Sequence, residues 1–345
     1  MLNYQKLIRK LYRSSEKSSL FEKVNFSMSS YIQQAINAII RPPRCEYNLS
    51  HLPLFLKDDE GNSYVRHPLN FSNQRNQKIV GSLYIRGDKD IMSGGPCMIY
   101  LHGNSSSQVE GQFLIPNVCK YGVALYVFDF AGCGKSDGEY ITLGVNETND
   151  LNYLIDQLNF SFNLGPFGLW GRSMGAATAI LSHSKKVVVK IVDSTFTSVQ
   201  EEVKAMAAKI GVPGLMIPTL TWMLGLLVDG KSGINVYSAS PLEEAKKEGQ
   251  PPMLMCHAVD DDLVPYAQGR AVFEAYSNQE KEFVDAANGH NSRRSTKWLE
   301  KACNFIFEKF GIEVEDFHMV STSHLNEIHH FNDINQLLES NKVVE

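Results

Sequence analysis

The sequence predicts an α/β fold, a doubly wound and mostly parallel sheet with helices on both faces. Three observations carry that expectation. Strand-like apolar runs alternate with helical stretches from about residue 78 to about residue 310. The middle runs are apolar almost without interruption, as expected of strands covered on both sides. One of them, Phe167–Trp170, leads through Gly171-Arg-Ser173-Met-Gly175 straight into an Ala-rich helical stretch. Such alternation is what crossover-connected parallel strands require.

Residues 1 to about 50 read as a helical extension. Tyr4, Leu7, Ile8, Leu11 and Tyr12 fall at i, i+3, i+4, i+7 and i+8, interleaved with Lys6, Arg9, Lys10 and Arg13. A basic amphipathic helix suits peripheral contact with an anionic membrane surface; packed on its own body, it would turn the basic face to water. A second helical pattern, Tyr31 to Ile40, ends at Arg41-Pro42-Pro43-Arg44, where the prolines forbid continuation. Strands are expected at Ile79–Ile85, Met98–His102, Ala124–Phe130, Phe167–Trp170, Val187–Val192, Met253–His257 and Glu282–Asp285. Helices are expected at Glu147–Leu158, Met174–His183, Tyr266–Tyr276 and Thr296–Lys309, which places the α/β domain at residues 65–312. Residues 313–345 read as a polar, acidic tail with a short helix at Ile328–Leu338. Ile210–Val228 is uncharged over nearly a bilayer's span, but its glycines and prolines favour a buried or groove-lining helix pair.

Composition narrows the function classes. With 43% apolar residues, 33 basic against 38 acidic side chains and a net charge of -5, the chain is neither disordered nor a dedicated nucleic-acid binder. Its six cysteines are scattered, without a CxxC pair or a metal-ligand cluster, so no metal is expected. The N-terminus lacks the apolar core of a secretory signal, and the reading is cytoplasmic, with a membrane surface as the alternative station.

Gly-x-Ser-x-Gly between a strand and a helix is the nucleophile elbow, a tight turn that leaves the Ser173 hydroxyl exposed beside a positive helix end. A serine needs a base, and the base needs an orienting acid, in the chain order Ser, Asp or Glu, His. His290 alone among the ten histidines combines that order with a loop just past the last expected strand. The acid lies in Asp260-Asp261-Asp262: Asp261 is favoured by its Asp-x-x-Val-Pro spacing, Asp260 competes, and Asp262 suits a helix start. Asp193 is a further candidate. An oxyanion would be met by the backbone N–H of Met174 and, from the turn after Met98–Leu101, that of Asn104. Gly132-Cys-Gly134-Lys135-Ser136 mimics the end of a P-loop, but Asp129 stands where its first glycine belongs.

With these residues in hand, the chain resembles the α/β-hydrolase superfamily over roughly residues 65 to 312, in its serine aminopeptidase-like branch. Asp129-Phe-Ala-Gly132-Cys-Gly134-Lys-Ser136-Asp-Gly138, His102-Gly-Asn, Gly171-Arg-Ser-Met-Gly and Gly289-His-Asn-Ser are similar to that branch's motifs. Arg41-Pro-Pro-Arg-x-x-Tyr47 narrows the likeness to plant and protist hydrolases distantly similar to animal depalmitoylases and monoacylglycerol lipases. The resemblance implies an acyl hydrolase without cofactor and a small helical cap at about residues 196–250. The cap is apolar, and Met216, Trp222 and Met223 are its expected substrate contacts. An apolar cap favours acyl-chain esters or thioesters, from a small-molecule or lipid substrate. The alternatives are a serine peptidase, for which the cap offers no acidic cluster to hold a peptide terminus, and a non-catalytic scaffold.

Overall fold

The computed structural model describes residues 40–327 apart from 42, 49–51, 210–213 and 234. The expected basic helix over the first residues, most of the Tyr31–Ile40 pattern and the Ile328–Leu338 helix lie outside the described residues.

The strands, in chain order, are β1 (Phe55–Lys57), β2 (Ser63–Pro68), β3 (Phe71–Ser72), β4 (Lys78–Ile79), β5 (Gly81–Arg86), β6 (Gly95–Leu101), β7 (Ala124–Phe128), β8 (Leu164–Arg172), β9 (Val187–Asp193), β10 (Met253–Ala258), β11 (Lys281–Ala286) and β12 (Asn326–Glu327). Ten of them form one sheet in the order β11-β10-β9-β8-β6-β7-β5-β2-β1-β12. From β11 to β7 the neighbours run parallel; β5, β2, β1 and β12 extend the sheet antiparallel.

Strand periodicity explains why the sheet is covered on both sides. Along β6, Cys97, Ile99 and Leu101 enter one buried cluster, while Met98 and Tyr100 enter the other. On β10, Leu254 and Cys256 point into the second cluster and Met253 and Met255 into a third. The helices that do the covering are α1 (Ile115–Val118), α2 (Val145–Phe162), α3 (Met174–Leu181), α7 (Tyr266–Ala275) and α8 (Thr296–Phe310). Between β9 and β10 the chain leaves the sheet as α4 (Val199–Lys209), α5 (Ile217–Ser232) and α6 (Pro241–Ala245). No helix among the described residues is long and apolar enough to cross a membrane.

The strand after β6 in the chain, β7, lies on one side of it, whereas β8 lies on the other. The order therefore reverses between β6 and β8, and the crevice at their C-terminal ends is where an open α/β sheet places a ligand. Ser173 and the His102–Asn104 turn both emerge there.

The sheet is wider than the sequence suggested. β1 and the start of β2 precede residue 65, and the supposed tail returns to the sheet. Asn117 holds Val320 through both backbone groups, at 2.9 and 2.8 Å, Phe317 is buried, and β12 pairs with β1. These segments are too short and too polar to show a period, and the partners of the C-terminal one lie more than two hundred residues away. The strand expected at Ile79–Ile85 is interrupted at Val80, β4 pairing with β3 apart from the main sheet.

Residues 43–48 are not helical; they form a strap over the loop that follows β7. The Arg44 guanidinium donates to the carbonyls of Gly134, Ser136 and Gly138. Tyr47 donates to Asp129 Oδ2 at 2.8 Å and accepts from Gln108 Nε2 at 2.7 Å. Asp129 also takes the backbone N–H groups of Gln108 and Lys135. Gly134, at φ 44°, passes so close that a Cβ would lie 2.3 Å from that carboxylate. Lys190 is a second buried polar feature: from the middle of β9 its ammonium donates to Ile180 O, Ser182 O and Gln250 Oε1. It thereby caps the C-terminal end of α3, and burial pushes its pKa down to about 7.

Tyr47→Phe should leave Asp129 and the Gln108 amide each short of a partner and cost about 1–3 kcal/mol, read from the midpoint of urea denaturation.

Candidate active site

The turn from β8 into α3 holds Ser173 at φ 54° and ψ −116°, a conformation that costs a non-glycine residue and persists only when its surroundings enforce it. They do so by close packing. A Cβ on Gly171 would lie 2.2 Å from Gly175 O, and one on Gly175 would lie 2.0 Å from Leu101 O. The Ser173 N–H donates to Asp193 O at 2.8 Å, and Ser173 O accepts from Ala177 N at 3.0 Å. Met174 is the first helical residue, so its N–H has no acceptor within the helix.

His290 Nε2 lies 2.9 Å from Ser173 Oγ, and its Nδ1 lies 2.7 Å from Asp261 Oδ2. Both His290 and the Asp261 carboxylate are buried. Asp261 Oδ1 accepts the backbone N–H groups of Leu263 and Val264 at 2.9 and 2.8 Å. The buried His257 also approaches Oδ2, at 3.3 Å. Burial opposes the charge on Asp261, but hydrogen bonds from His257, His290 and Leu263 N–H outweigh it and hold the carboxyl well below the usual range. An ionised Asp261 can only accept, so His290 carries its proton on Nδ1 and presents a free Nε2 lone pair to the Ser173 hydroxyl.

The other aspartates have other duties. Asp260 Oδ1 accepts Gly289 N at 2.9 Å, tying down the loop that carries His290. Asp193 is engaged by Arg294, whose Nε lies 3.0 and 2.9 Å from its two oxygens and whose Nη2 lies 2.8 Å from Oδ1. Arg294 also donates to Gly289 O at 2.9 Å and His290 O at 3.2 Å, and Arg172 donates to His290 O at 3.0 Å. Two arginines thus grip the backbone of the histidine loop. Sequence reading missed them, because a charged side chain carries no sign of which distant carbonyl it will meet.

On the oxyanion side, the turn after β6 sits against the serine: a Cβ on Gly103 would lie 3.8 Å from Ser173 Cβ. His102 is buried and orders this turn. Its Nε2 accepts from Phe130 N at 3.1 Å, so the ring proton is on Nδ1, which donates to Gly103 O at 2.7 Å. Within a trans peptide the N–H points opposite the carbonyl, so the Asn104 N–H faces away from His102.

The cap approaches from above. Val199 and Val203 of α4 join Phe130, Ile141, Phe196 and Val264 in the buried cluster that holds Met174. Glu202, also on α4 and buried, lies 3.5 Å from Gln268 Nε2. Burial, then the charge of Asp261, push its carboxyl up to about 8. Trp222, expected among the substrate contacts, is on α5 and 65% exposed. The side chains of Met216 and Met223 lie outside the described residues. Among those residues no cluster of potential ligands for a metal ion is present.

No family model matches the chain. The lysophosphatidylserine lipase ABHD12 of Danio rerio is 25% identical over 211 residues, 59% of this chain and 52% of that protein. Its counterpart in Rattus norvegicus is 26% identical over 194 residues, 53% of this chain and 46% of that protein. The chain thus spans about half the length of these curated relatives. Among solved structures, the Pyrococcus furiosus esterase Pf2001 superposes with a TM-score of 0.56 at 21% identity, covering 78% of this chain and 98% of that one. This chain has the α/β-hydrolase fold. Leishmania major oligopeptidase B, at a TM-score of 0.54 and 18% identity, shares the fold over 73% of this chain and 37% of its own. In hydrolase-fold terms, the helices between β9 and β10 stand where the cap was expected.

Arg294→Ala should cost about 3–5 kcal/mol in denaturant unfolding by leaving Asp193 buried and unpaired. Arg294→Lys should not restore it, because one ammonium cannot reproduce the bidentate fork. Glu202 has a raised folded pKa, so the folded state retains a proton that the unfolded state releases. Stability should therefore fall as pH rises from the ordinary carboxylate range to about 8. Glu202→Gln should flatten that fall in melting temperature against pH.

Proposed function

We propose that the protein is a serine hydrolase that cleaves carboxylic esters or thioesters of acyl chains through an acyl-enzyme. The observation that carries this reading is the single imidazole of His290 spanning Ser173 Oγ and the buried Asp261 carboxylate. Ser173 Oγ attacks the substrate carbonyl as its proton passes to His290 Nε2. The imidazolium so formed is stabilised by Asp261. The negative oxygen is met by the N–H groups of Met174 and Asn104. Collapse of the tetrahedral adduct breaks the bond to the alcohol or thiol, which leaves with the proton from Nε2. Water, deprotonated by the same nitrogen, then releases the acid and restores Ser173.

The apolar cluster shared by the cap and Met174 supports an acyl chain over a charged peptide as the bound group. The lysophosphatidylserine lipases among the relatives supply independent support for a lipid acyl ester. Leu215, Trp222 and Leu226 stand exposed on the cap, which suits contact with a lipid surface, as does the basic amphipathic pattern of residues 4–13. All six cysteines are unpaired, in keeping with a reducing compartment such as the cytoplasm.

Fluorophosphonate labelling should be lost in Ser173→Ala and in His290→Ala, and Asp261→Asn should lower kcat on p-nitrophenyl esters by about 10⁴-fold. Labelling that survives Ser173→Ala would overturn the assignment. Esters of graded chain length then test the acyl preference.

A further inference from the structure

A second buried histidine stands beside the triad and takes no part in the steps above. His257 is on β10, where the two-residue period puts it on the same face as Met253 and Met255, which pack with Val272 of α7. Its Nε2 lies 2.9 Å from Val264 O and 3.3 Å from Asp261 Oδ2, the oxygen that meets His290 Nδ1. Its Nδ1 is buried and has no partner among the described residues. α7 closes that side of the ring. A Cβ on Gly269 would lie 2.1 Å from Nδ1, and Tyr266 stands edge-on at a ring-centroid separation of 5.9 Å.

These contacts decide which nitrogen carries the ring proton. On Nδ1 it would be sealed in without an acceptor, and the Nε2 lone pair would face a carbonyl and a carboxylate. On Nε2 the proton meets both oxygens. The turn it meets is the one that holds the acid, because Val264 gives its N–H to Asp261 Oδ1 at 2.8 Å and its carbonyl to His257. We propose that His257 is a positioning residue for Asp261: its one N–H steadies the carboxylate oxygen that orients His290, together with the turn behind it. The proposal rests on the hydrolase reading of the triad. Backbone N–H groups fix Oδ1, and His257 stands against Oδ2, where a twist of the carboxylate would weaken the bond to His290 Nδ1. The absent side chain of Gly269 is what lets the ring reach that place.

The test measures turnover of p-nitrophenyl acetate by the full chain. His257→Phe keeps a ring and removes the N–H. It should lower kcat by at least about tenfold, the worth of one hydrogen bond to a charged group, with KM little changed. His257→Gln, whose side-chain amide can donate in its place, should recover most of that loss. In an Asp261→Asn background, His257→Phe should lower kcat no further, because a residue that acts through the acid then has nothing to act on. Unchanged kcat in His257→Phe, a Gln variant no better than Phe, or the same fold-loss with and without the Asp261 carboxylate would each overturn the proposal. If His257→Phe does not fold, Gly269→Ala gives the second perturbation: its Cβ displaces the ring, and the same loss with the same dependence on Asp261 is expected. Imidazole nitrogen NMR of histidine-labelled protein, assigned by the signals that His257→Gln removes, reads the tautomer without turnover. A protonated Nε2 and a bare Nδ1 are expected, and the reverse would overturn the proposal. An inactive wild type would instead overturn the hydrolase reading, on which the tautomer does not depend.

Discussion

The arrangement turns on the end of β9, where Asp193 serves two masters. Its carbonyl takes the Ser173 N–H and so holds the strained turn, while its carboxylate takes Arg294, which grips the Gly289 and His290 carbonyls. Nucleophile and base come from segments more than a hundred residues apart. One residue fixes both relative to the sheet, and it does so with a buried charge pair whose geometry tolerates little movement. A buried ion pair contributes little net stability against an apolar replacement. What it supplies here is position: the fork of Arg294 meets two carboxylate oxygens and two backbone carbonyls at once.

Around that point the charges are set against one another deliberately. Asp261 keeps its charge in a buried setting because two histidines and two backbone N–H groups face it. Glu202, on α4, is pushed up to about 8 by its burial first and by the charge of Asp261 second. On the far side, the strap of Arg44 and Tyr47 knots the loop after β7, and Phe130 in that loop orients His102 beneath the Gly103–Asn104 turn.

The central strands and the helices α2, α3, α7 and α8 were legible because each buries a face, and burial imposes a period that a sequence displays. Ser173 and His290 were legible for a related reason: an elbow needs small residues at 171 and 175, and a base needs the right order and a strand-end loop. The acid was not decided by pattern. The Asp-x-x-Val-Pro spacing favours Asp261 but leaves Asp260 in competition, and only the folded loop shows Asp261 facing His290 while Asp260 takes Gly289 N. Which face α5 would bury was not legible either, because a helix with apolar residues nearly all round has no distinct stripe, and Trp222 stands exposed on it.

The sequence by itself determined the class of fold, the strand that carries the serine and the chain order of serine, acid and base. These follow from local periodicity and from the steric demands of one turn. Tertiary structure alone decided which aspartate faces the histidine, that Arg172 and Arg294 hold its loop, and that residues 317–327 return to widen the sheet. Each of those depends on partners distant in the chain. Hydrogen bonds and ion pairs of that kind leave no period in the sequence, because they are chosen by proximity after the sheet has formed.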